Sequence, residues 1–333
     1  QNKKIRIYMN FSSTKELLEN QQIIIYFIAI SISILITFFI PNTSYFETAI
    51  NPALALMLFV TFLQVPISEL TSAFKNIKFI FALLFSNFII IPIIVFGLIQ
   101  FLPDNPLLKL GVLFVLLTPC IDYVVTFSHL GKANAKLLLS STPILLIVQM
   151  VLLPIYLNIF LGEEASLLVE ISPFIEAFIF LILIPFSLAT IFQIWSKKSN
   201  LGEKIVDVFN ILPVPSTALV LFIVILAVVP RLSLAINDIL YVIPIYVAFA
   251  IIAPMIGLSV GKLFKLKKEE KVSIAFSSST RNSLVILPLA LAVPNALPLL
   301  PAVIVTQTFI ELIAEIIYIR IFTKLDKKAI STK

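Results

Sequence analysis

Residues 115–130 read VLLTPCIDYVVTFSHL, and this stretch constrains how the chain can fold. The segment is apolar enough to cross a lipid bilayer, yet it contains a proline, the only cysteine of the chain and an aspartate. A proline inside a helix removes a backbone hydrogen bond and clashes with the preceding turn, so Pro119 predicts a break. Backbone groups freed at membrane depth are tolerated only where protein buries them or a cavity is present. We therefore expect Cys120 and Asp122 to lie between two half-helices, inside protein.

The composition of the whole chain is that of a membrane protein. It is 60% hydrophobic and 13% charged, whereas soluble domains carry about 25% charged residues. Apolar stretches of about 20 residues, long enough to cross the hydrocarbon core, recur from end to end. These features predict an all-α polytopic membrane protein with ten transmembrane helices, near 22–40, 49–65, 77–101, 107–128, 137–160, 171–194, 205–229, 239–263, 271–293 and 299–322.

The segments outside these spans set the predicted orientation. Residues 13–16 have capping-box spacing and predict a short surface helix in an N-terminal cytoplasmic segment, 1–21. We expect 161–170 to be an extracellular loop and 323–333 a cytoplasmic tail. Twenty-one of the 24 Lys and Arg residues fall on one side of this topology, which is the cytoplasmic side by the positive-inside rule.

The charge distribution also suggests a location and excludes one class of partner. We expect a multi-pass protein of the plasma membrane, specifically a bacterial inner membrane, with both termini cytoplasmic. The net charge of +6 is explained by anionic lipid at the inner leaflet, so no nucleic-acid partner is predicted. Protein partners cannot be read from the sequence.

The two halves of the chain, 22–160 and 171–322, resemble each other at a shift of about 162 residues. The matching features are Thr118 with Thr280, Pro92 with Pro254, and the turn VPISEL (65–70) with VPRLSL (229–234). Five spans per half is an odd number, so the halves must have opposite orientation. This 5+5 inverted repeat is typical of secondary transporters, whose sites lie at the midplane where broken helices meet. We expect discontinuous helices 4 and 9, which carry TPCIDY (118–123) and SSSTRNS (277–283), to cross there.

Arg281 lies inside the ninth predicted span. A cation at the bilayer centre costs at least about 2.5 kcal/mol, so we expect it to face a cavity or a carboxylate. Asp122 and Glu311 are the candidates, and Glu315 follows Glu311 by one turn on the same helix face. A purely structural pair between Asp122 and Arg281 is the alternative.

Cys120 has two interpretations, which the residues alone leave open. A lone buried cysteine commonly behaves as a small hydrophobe, but a thiolate is also a preferred ligand of soft, thiophilic species. The candidate site has three groups: Cys120, Asp122, Arg281 and Asn282 for substrate; Glu311 and Glu315 for proton coupling; Thr118, Pro119, Gln149, Thr280 and Ser283 along the pathway. With seven glycines and no nucleotide-binding glycine motif, the sequence predicts no enzyme, no cofactor and no metal site.

These features resemble a known family. The ten spans, the inverted repeat and the two breaks are similar to the bile acid:sodium symporter superfamily over residues 20–325. Within it, Pro119-Cys120, Arg281-Asn282 and Glu311 resemble the arsenite permease branch. The resemblance implies export of arsenite and antimonite in exchange for protons, with Cys120 handling arsenic and Glu311 carrying the proton.

The sodium-coupled branch differs from this chain in its ninth span. There, an acid followed by Gln-Asn-Ser supplies oxygens to sodium, whereas here the corresponding positions are Ser277 and Arg281. A guanidinium beside such a site repels sodium, so we expect protons rather than sodium as the coupling ion. Asp122 also departs from the arsenite branch and leaves an alternative: a sodium-dependent symporter of bile acid-like or other small organic anions. A channel or receptor without coupling is a further alternative.

Overall fold

The computed structural model is all-helical in the residues that it describes, which are 2–40, 43–64, 76–162, 172, 175–176, 179–230, 235–291, 293 and 299–331. In the first half, the helices are α1 (Asn2–Phe39), α2 (Ile50–Leu63), α3 (Ile77–Ile99), α4 (Pro106–Leu116), α5 (Tyr123–Leu130) and α6 (Ala135–Leu161). In the second half they are α7 (Ile179–Ser196), α8 (Asn200–Phe209), α9 (Pro213–Val228), α10 (Ile236–Leu263), α11 (Lys268–Ser279), α12 (Ser283–Leu291) and α13 (Leu299–Ser331).

Seven helices of the described part are long and apolar enough to cross a membrane, or eight if α8 and α9, bent by 45°, form one span. The chain is therefore a multi-pass membrane protein. The predicted spans 107–128 and 271–293 are each divided into two short helices. The pieces have 11 and 8 residues in the first case and 12 and 9 in the second, and about 20 are needed to cross the bilayer. The ten-span count stays a prediction.

The N-terminus differs from the prediction. The expected short surface helix is not a separate element, because α1 runs without a break from Asn2 to Phe39. Lys15 and Glu19 form an ion pair of 3.7 Å one turn apart, which favours a continuous helix through the segment. The predicted loop 161–170 and the turn VPISEL (65–70) lie largely or wholly outside the described residues, as does most of VPRLSL.

Several helices begin at a polar residue whose side-chain oxygen accepts a hydrogen bond from a first-turn backbone N–H group, as N-caps do. These residues are Asn76, Asn105, Asp122, Asn134 and Ser199. Asn76 also donates to Glu270 Oε1 at 2.9 Å, and Glu270 Oε2 accepts from the backbone N–H of Lys267, which precedes α11. One carboxylate therefore connects the starts of α3 and α11.

The chain forms two compact units, and each combines segments from both halves of the sequence. The first contains 1–67 and 172–233, and the second contains 68–171 and 234–333. In the first unit α1 packs along α9, and α2 contacts α7 and α9. In the second unit α10 packs along α11, and α13 contacts α4, α10 and α12. Every predicted site residue belongs to the second unit.

Helix α13 illustrates how the second unit fits a lipid environment. Ile313, Ile317 and Ile321 are about half exposed on one face, whereas Glu311 and Glu315 are buried on another. Apolar side chains thus face outward and charged side chains face the protein. This arrangement is expected where hydrocarbon, not water, surrounds the helix.

Two prolines inside long helices leave backbone carbonyls without their usual partners. In α3, Pro92 cannot donate to the carbonyl of Phe88, and that carbonyl instead accepts from the hydroxyl of Tyr156. In α10, Pro254 leaves the carbonyl of Ala250 free, and it accepts from the hydroxyl of Tyr318. Both carbonyls therefore remain paired without water.

Gly257 permits the close packing of α10 on α11, and its replacement should destabilise the second unit. A Cβ atom at Gly257 would lie 2.5 Å from Cα of Ala275, so Gly257→Ala must push the helices apart at a cost of about 1–3 kcal/mol. The measurement is the melting temperature of the purified protein in detergent. Gly97→Ala in α3 is the matched control, since no atom lies within 4 Å of its added Cβ. Equal melting temperatures for the two variants would contradict this packing.

Candidate functional site

The break between α4 and α5 lies beside the break between α11 and α12. The backbone N–H of Cys120 donates to the carbonyl of Thr280 at 3.0 Å, and the N–H of Asn282 donates to the carbonyl of Thr118 at 2.8 Å. Each break thus supplies backbone partners for the other. Interrupted helices can exist at membrane depth when protein satisfies their freed groups in this way.

The residues next to these bonds end the helices. Pro119 faces Arg281 in an isolated antiparallel bridge. The hydroxyl of Thr118 donates to the carbonyl of Phe114 at 2.8 Å, and that of Thr280 donates to the carbonyl of Phe276 at 2.7 Å. Helix α4 ends at Leu116, three residues before Pro119. The two threonines and the proline therefore have defined structural roles at the breaks.

Arg281 is completely buried, and neutral groups surround its guanidinium. Nη2 donates to Asn87 Oδ1 at 2.9 Å and to the carbonyl of Ser277 at 2.6 Å, while Nη1 donates to the carbonyl of Leu116 at 3.3 Å. The guanidinium also lies 5.4 Å from the centroid of the Phe249 ring, a cation–π distance. Nε has no partner among the described residues.

The predicted ion pair between Asp122 and Arg281 is absent. Among the described residues, the pairs within 4.0 Å are Lys15–Glu19 and Lys109–Asp104. Of the two expected surroundings of Arg281, a cavity or a carboxylate, direct contact with a carboxylate is therefore wrong. The physical reason is that three neutral oxygens accept from its Nη groups and an aromatic face lies against its charge.

Glu311 meets Arg281 through the backbone instead. Its Oε2 accepts from the backbone N–H of Arg281 and from Gln307 Nε2, both at 2.6 Å. Its Oε1 accepts from the hydroxyl of Tyr123 at 2.6 Å. The hydroxyl of Ser283 donates to Gln307 Oε1 at 2.7 Å, which orients the amide. Three donors around one carboxyl group favour the ionised form, which only accepts.

Asp122 and Glu315 are less completely bonded. Asp122 Oδ1 accepts from the thiol of Cys120 and from the backbone N–H of Tyr123, both at 2.7 Å, and Glu315 Oε1 lies 2.6 Å from the hydroxyl oxygen of Thr280. The second oxygen of each carboxyl group has no partner among the described residues. An unpartnered oxygen in a buried site is costlier for a carboxylate than for a neutral carboxyl group.

The balance of charge gives the same assignment. Arg281 provides one positive charge, and three acids of the same unit, Asp122, Glu311 and Glu315, are also buried. A buried net charge is strongly unfavourable, so the cluster is neutral when two of the three acids carry protons. Hydrogen bonding assigns the anion to Glu311 and the protons to Asp122 and Glu315.

Thr280 supports the proton on Glu315. Its single hydroxyl proton has two acceptors in reach, the carbonyl of Phe276 at 2.7 Å and Glu315 Oε1 at 2.6 Å. If Glu315 is protonated, it donates to Thr280 while Thr280 donates to Phe276, and both contacts are hydrogen bonds. An ionised Glu315 would compete with the carbonyl of Phe276 for the hydroxyl proton of Thr280.

Two further predicted residues, Gln149 and Asn282, retain side-chain polar atoms without a partner among the described residues. Gln149 is buried, and neither atom of its amide has a partner; Asn282 Nδ2 is likewise unpartnered within the described part of the chain. These atoms are available to a bound solute. No group of three or more His, Cys, Asp or Glu side chains among the described residues is arranged to hold a metal ion.

Three residues of the cluster carry roles that the sequence analysis did not assign. Tyr123 and Gln307 bond to Glu311, and Asn87 bonds to Arg281. Gln307 precedes Glu311 by one helical turn, which is a detectable signal because residues four apart share a helix face. Asn87 lies in a π-helical turn, Ser86–Ile90, a feature frequent at functional sites. The nearby Pro92 is the only hint of that turn in the sequence.

Comparison with known proteins places the chain in a family of carriers. A family model described as the sodium bile acid symporter family matches residues 51–237, more than half of the chain. The match includes Cys120 and Asp122 and ends before Arg281 and Glu311. No curated protein matches the chain.

Arg281 and Glu311 should be energetically coupled although their side chains do not touch. We expect Arg281→Met and Glu311→Gln each to lower the melting temperature strongly, because each leaves a buried charge uncompensated. The double variant should lose less free energy of unfolding than the two single variants lose together, by roughly 2 kcal/mol.

The exposed pair Asp104 and Lys109 provides the control cycle for this coupling. The two side chains are 2.6 Å apart. The hydrogen bond from Lys109 and its positive charge lower the pKa of Asp104. Water screens this pair, so Asp104→Asn and Lys109→Met should show negligible coupling. Additive effects of the Arg281 and Glu311 variants would contradict charge balance in the cluster.

Proposed function

The chain belongs to the sodium bile acid symporter family, whose members are membrane transporters, and on this premise we propose that it is a proton-coupled secondary transporter that exports arsenite. Membership implies a small-molecule substrate and a lipid bilayer. Antimonite, which has the same thiol chemistry, would be a second substrate. In this proposal the protein lies in a bacterial plasma membrane with both termini in the cytoplasm.

The observation that carries the proposal is the buried pair of Cys120 and Asp122. The thiol proton points at Oδ1 of Asp122, 2.7 Å away, so the neutral carboxyl group can take it there as the sulfur becomes a nucleophile, while its own proton leaves from Oδ2. Arsenite at neutral pH is an uncharged trihydroxide. In the proposed step an arsenic–sulfur bond forms, an arsenic–oxygen bond breaks, and the leaving hydroxide takes the proton that Asp122 releases and departs as water, so Asp122 is neutral again. A single arsenic–sulfur bond is readily reversed, as release from a carrier requires.

Proton coupling follows from the neutrality of the cluster. Protonation of Glu311 would leave Arg281 as an uncompensated buried charge and would weaken the hydrogen bonds that Glu311 accepts. Two of those bonds, from Tyr123 and from the backbone of Arg281, attach α13 to both helix breaks. A proton at Glu311 would therefore loosen the closed cluster. Glu315 would act as a second acid on the same helix.

Contacts repeated at a shift of 162 residues support the proposed inverted repeat, in which the fourth and ninth predicted spans, 107–128 and 271–293, cross. In each half, a threonine hydroxyl at a break bonds to the carbonyl four residues back, and a tyrosine hydroxyl bonds to the carbonyl that a proline leaves free. The equivalent residues are Thr118 and Thr280, Phe114 and Phe276, Pro92 and Pro254, Phe88 and Ala250, and Tyr156 and Tyr318. Two halves of opposite orientation permit alternating access.

Arg281 argues against sodium as the coupling ion. Its guanidinium is held by Asn87 Oδ1 and by the carbonyls of Leu116 and Ser277. Oxygens of this kind are the ligands that hard monovalent cations take, and here a fixed cation already occupies them. A coupling sodium ion at the same place would be repelled.

The second candidate function is sodium-dependent uptake of small organic anions. The description of the matched family favours it, and so does the free Nε of Arg281, which could contact an anionic substrate. A strict sodium requirement for transport would support this function over arsenite export.

Arsenite export predicts accumulation in everted membrane vesicles when a proton gradient is imposed. Cys120→Ser keeps a donor for Asp122 but lacks the thiophilic sulfur, so uptake should fall by about 10-fold or more. Ser128→Ala, a buried one-atom change in α5, is the control and should leave uptake intact. Undiminished uptake by Cys120→Ser would reduce the cysteine to a packing residue. An intact wild type without arsenite uptake would reject this substrate and favour organic anions.

Removal of the internal cation should create a response to sodium. In Arg281→Gln the oxygens of Asn87, Leu116 and Ser277 lose the guanidinium and become available to a sodium ion. Sodium chloride should therefore raise the melting temperature of this variant but not of the wild type. At a concentration 100 times the dissociation constant the gain would be about 2.7 kcal/mol. Potassium and choline chloride are the salt controls. A wild-type protein stabilised specifically by sodium would contradict the proposed role of Arg281.

A further inference from the structure

A small cavity lies beside Glu311 in the second unit. Its walls come from α10, α11 and α13, and its polar lining residues are Tyr246, Ser279, Gln307, Glu311 and Tyr318. Phe249, whose ring faces the guanidinium of Arg281, forms part of the apolar wall. The space admits roughly one water molecule. It is far too small for arsenite, so it is distinct from the proposed substrate position.

Tyr246 is the lining residue whose hydrogen bonding is incomplete. It is 1% exposed, and its hydroxyl has no partner among the described residues. The hydroxyls of Ser279 and Tyr318, by contrast, donate to the carbonyls of Ala275 and Ala250. A buried hydroxyl without a partner is strongly disfavoured, and native proteins supply such groups with a protein or water partner. The cavity is the place where Tyr246 can find one.

We infer that this cavity binds one water molecule, which Tyr246 holds against the carboxyl group of Glu311. A buried water needs two to four polar partners. Tyr246 and Glu311 provide two, and Gln307 and Ser279 line the same space. Tyr246 is then a positioning residue, because it acts on Glu311 through the water. Among the described residues the other buried hydroxyl without a partner is that of Ser128, which does not line this cavity.

This inference rests on the proposed proton coupling and gives Glu311 a partner for proton transfer. When a protonated Glu311 releases its proton, the carboxyl O–H bond breaks and a new O–H bond forms on the water. When the carrier is open, the water passes one of its own protons to bulk water in the same event. It therefore remains neutral after the transfer. Without the Tyr246 hydroxyl the water loses its orientation, and proton exchange at Glu311 becomes slower.

Radiolytic hydroxyl labelling of the full-length protein in H₂¹⁸O tests the water site without reference to transport. We expect ¹⁸O incorporation at Tyr246 and Phe249, which line the cavity, and little at Phe114, which is fully buried elsewhere. Ala314→Leu should abolish labelling at Tyr246, because Ala314 also lines the cavity. Labelling at Tyr246 no stronger than at Phe114 would overturn the inference, whatever the substrate of the carrier.

Transport by reconstituted protein tests the positioning role. Tyr246→Phe should lower Vmax for proton-driven arsenite transport by about 10-fold, with KM unchanged. Tyr241→Phe is the matched control on the same helix, at a half-exposed position, and should transport like the wild type. Equal rates for the two variants would overturn the role of Tyr246. If the wild type carries no arsenite, the proposed substrate fails, and the labelling result still decides whether the water site exists.

Discussion

The buried guanidinium of Arg281 is the interaction on which the second unit depends. Its partners come from four elements: Asn87 from α3, Leu116 from α4, Ser277 from α11 and Phe249 from α10. A hydrogen bond to a charged group contributes about 1.5–3 kcal/mol, and loss of any partner would leave a buried charge less well solvated. One cation therefore fixes the relative positions of four helices.

The same charge determines where protons reside. A single cation among three buried acids is balanced by one carboxylate, so the other two acids hold protons. Glu311 collects three donors and is the anion, while Asp122 is bonded to a thiol that can lose a proton. The site thus combines a soft ligand, a carboxyl group beside it that can relay a proton, and a carboxylate whose charge balances Arg281. This combination is the basis of the proposed exchange of protons for a thiophilic solute.

Local features of the sequence predicted much of this unit. Pro119 indicated a break in a membrane helix, and the buried charges of Arg281 and Glu311 indicated a polar cluster beside it. The carboxylate contact that was expected as one option for Arg281 is not formed among the described residues. The structure solvates the guanidinium with carbonyls, an amide and an aromatic ring. Tyr123 was missed because nothing local distinguishes it from ordinary membrane-helix residues, whereas Gln307 was missed although it lies one turn before Glu311.

The sequence by itself determined that the chain enters a membrane, that it is helical and where helices are interrupted. Hydropathy and prolines act over one span or one turn, so no tertiary information is needed to read them. Only the tertiary structure decided which polar groups meet. Asn87 contacts Arg281 across 194 residues, and Tyr123 contacts Glu311 across 188. Such contacts follow from how helices pack and from where a π-helical turn rotates a side chain, and both depend on the whole fold.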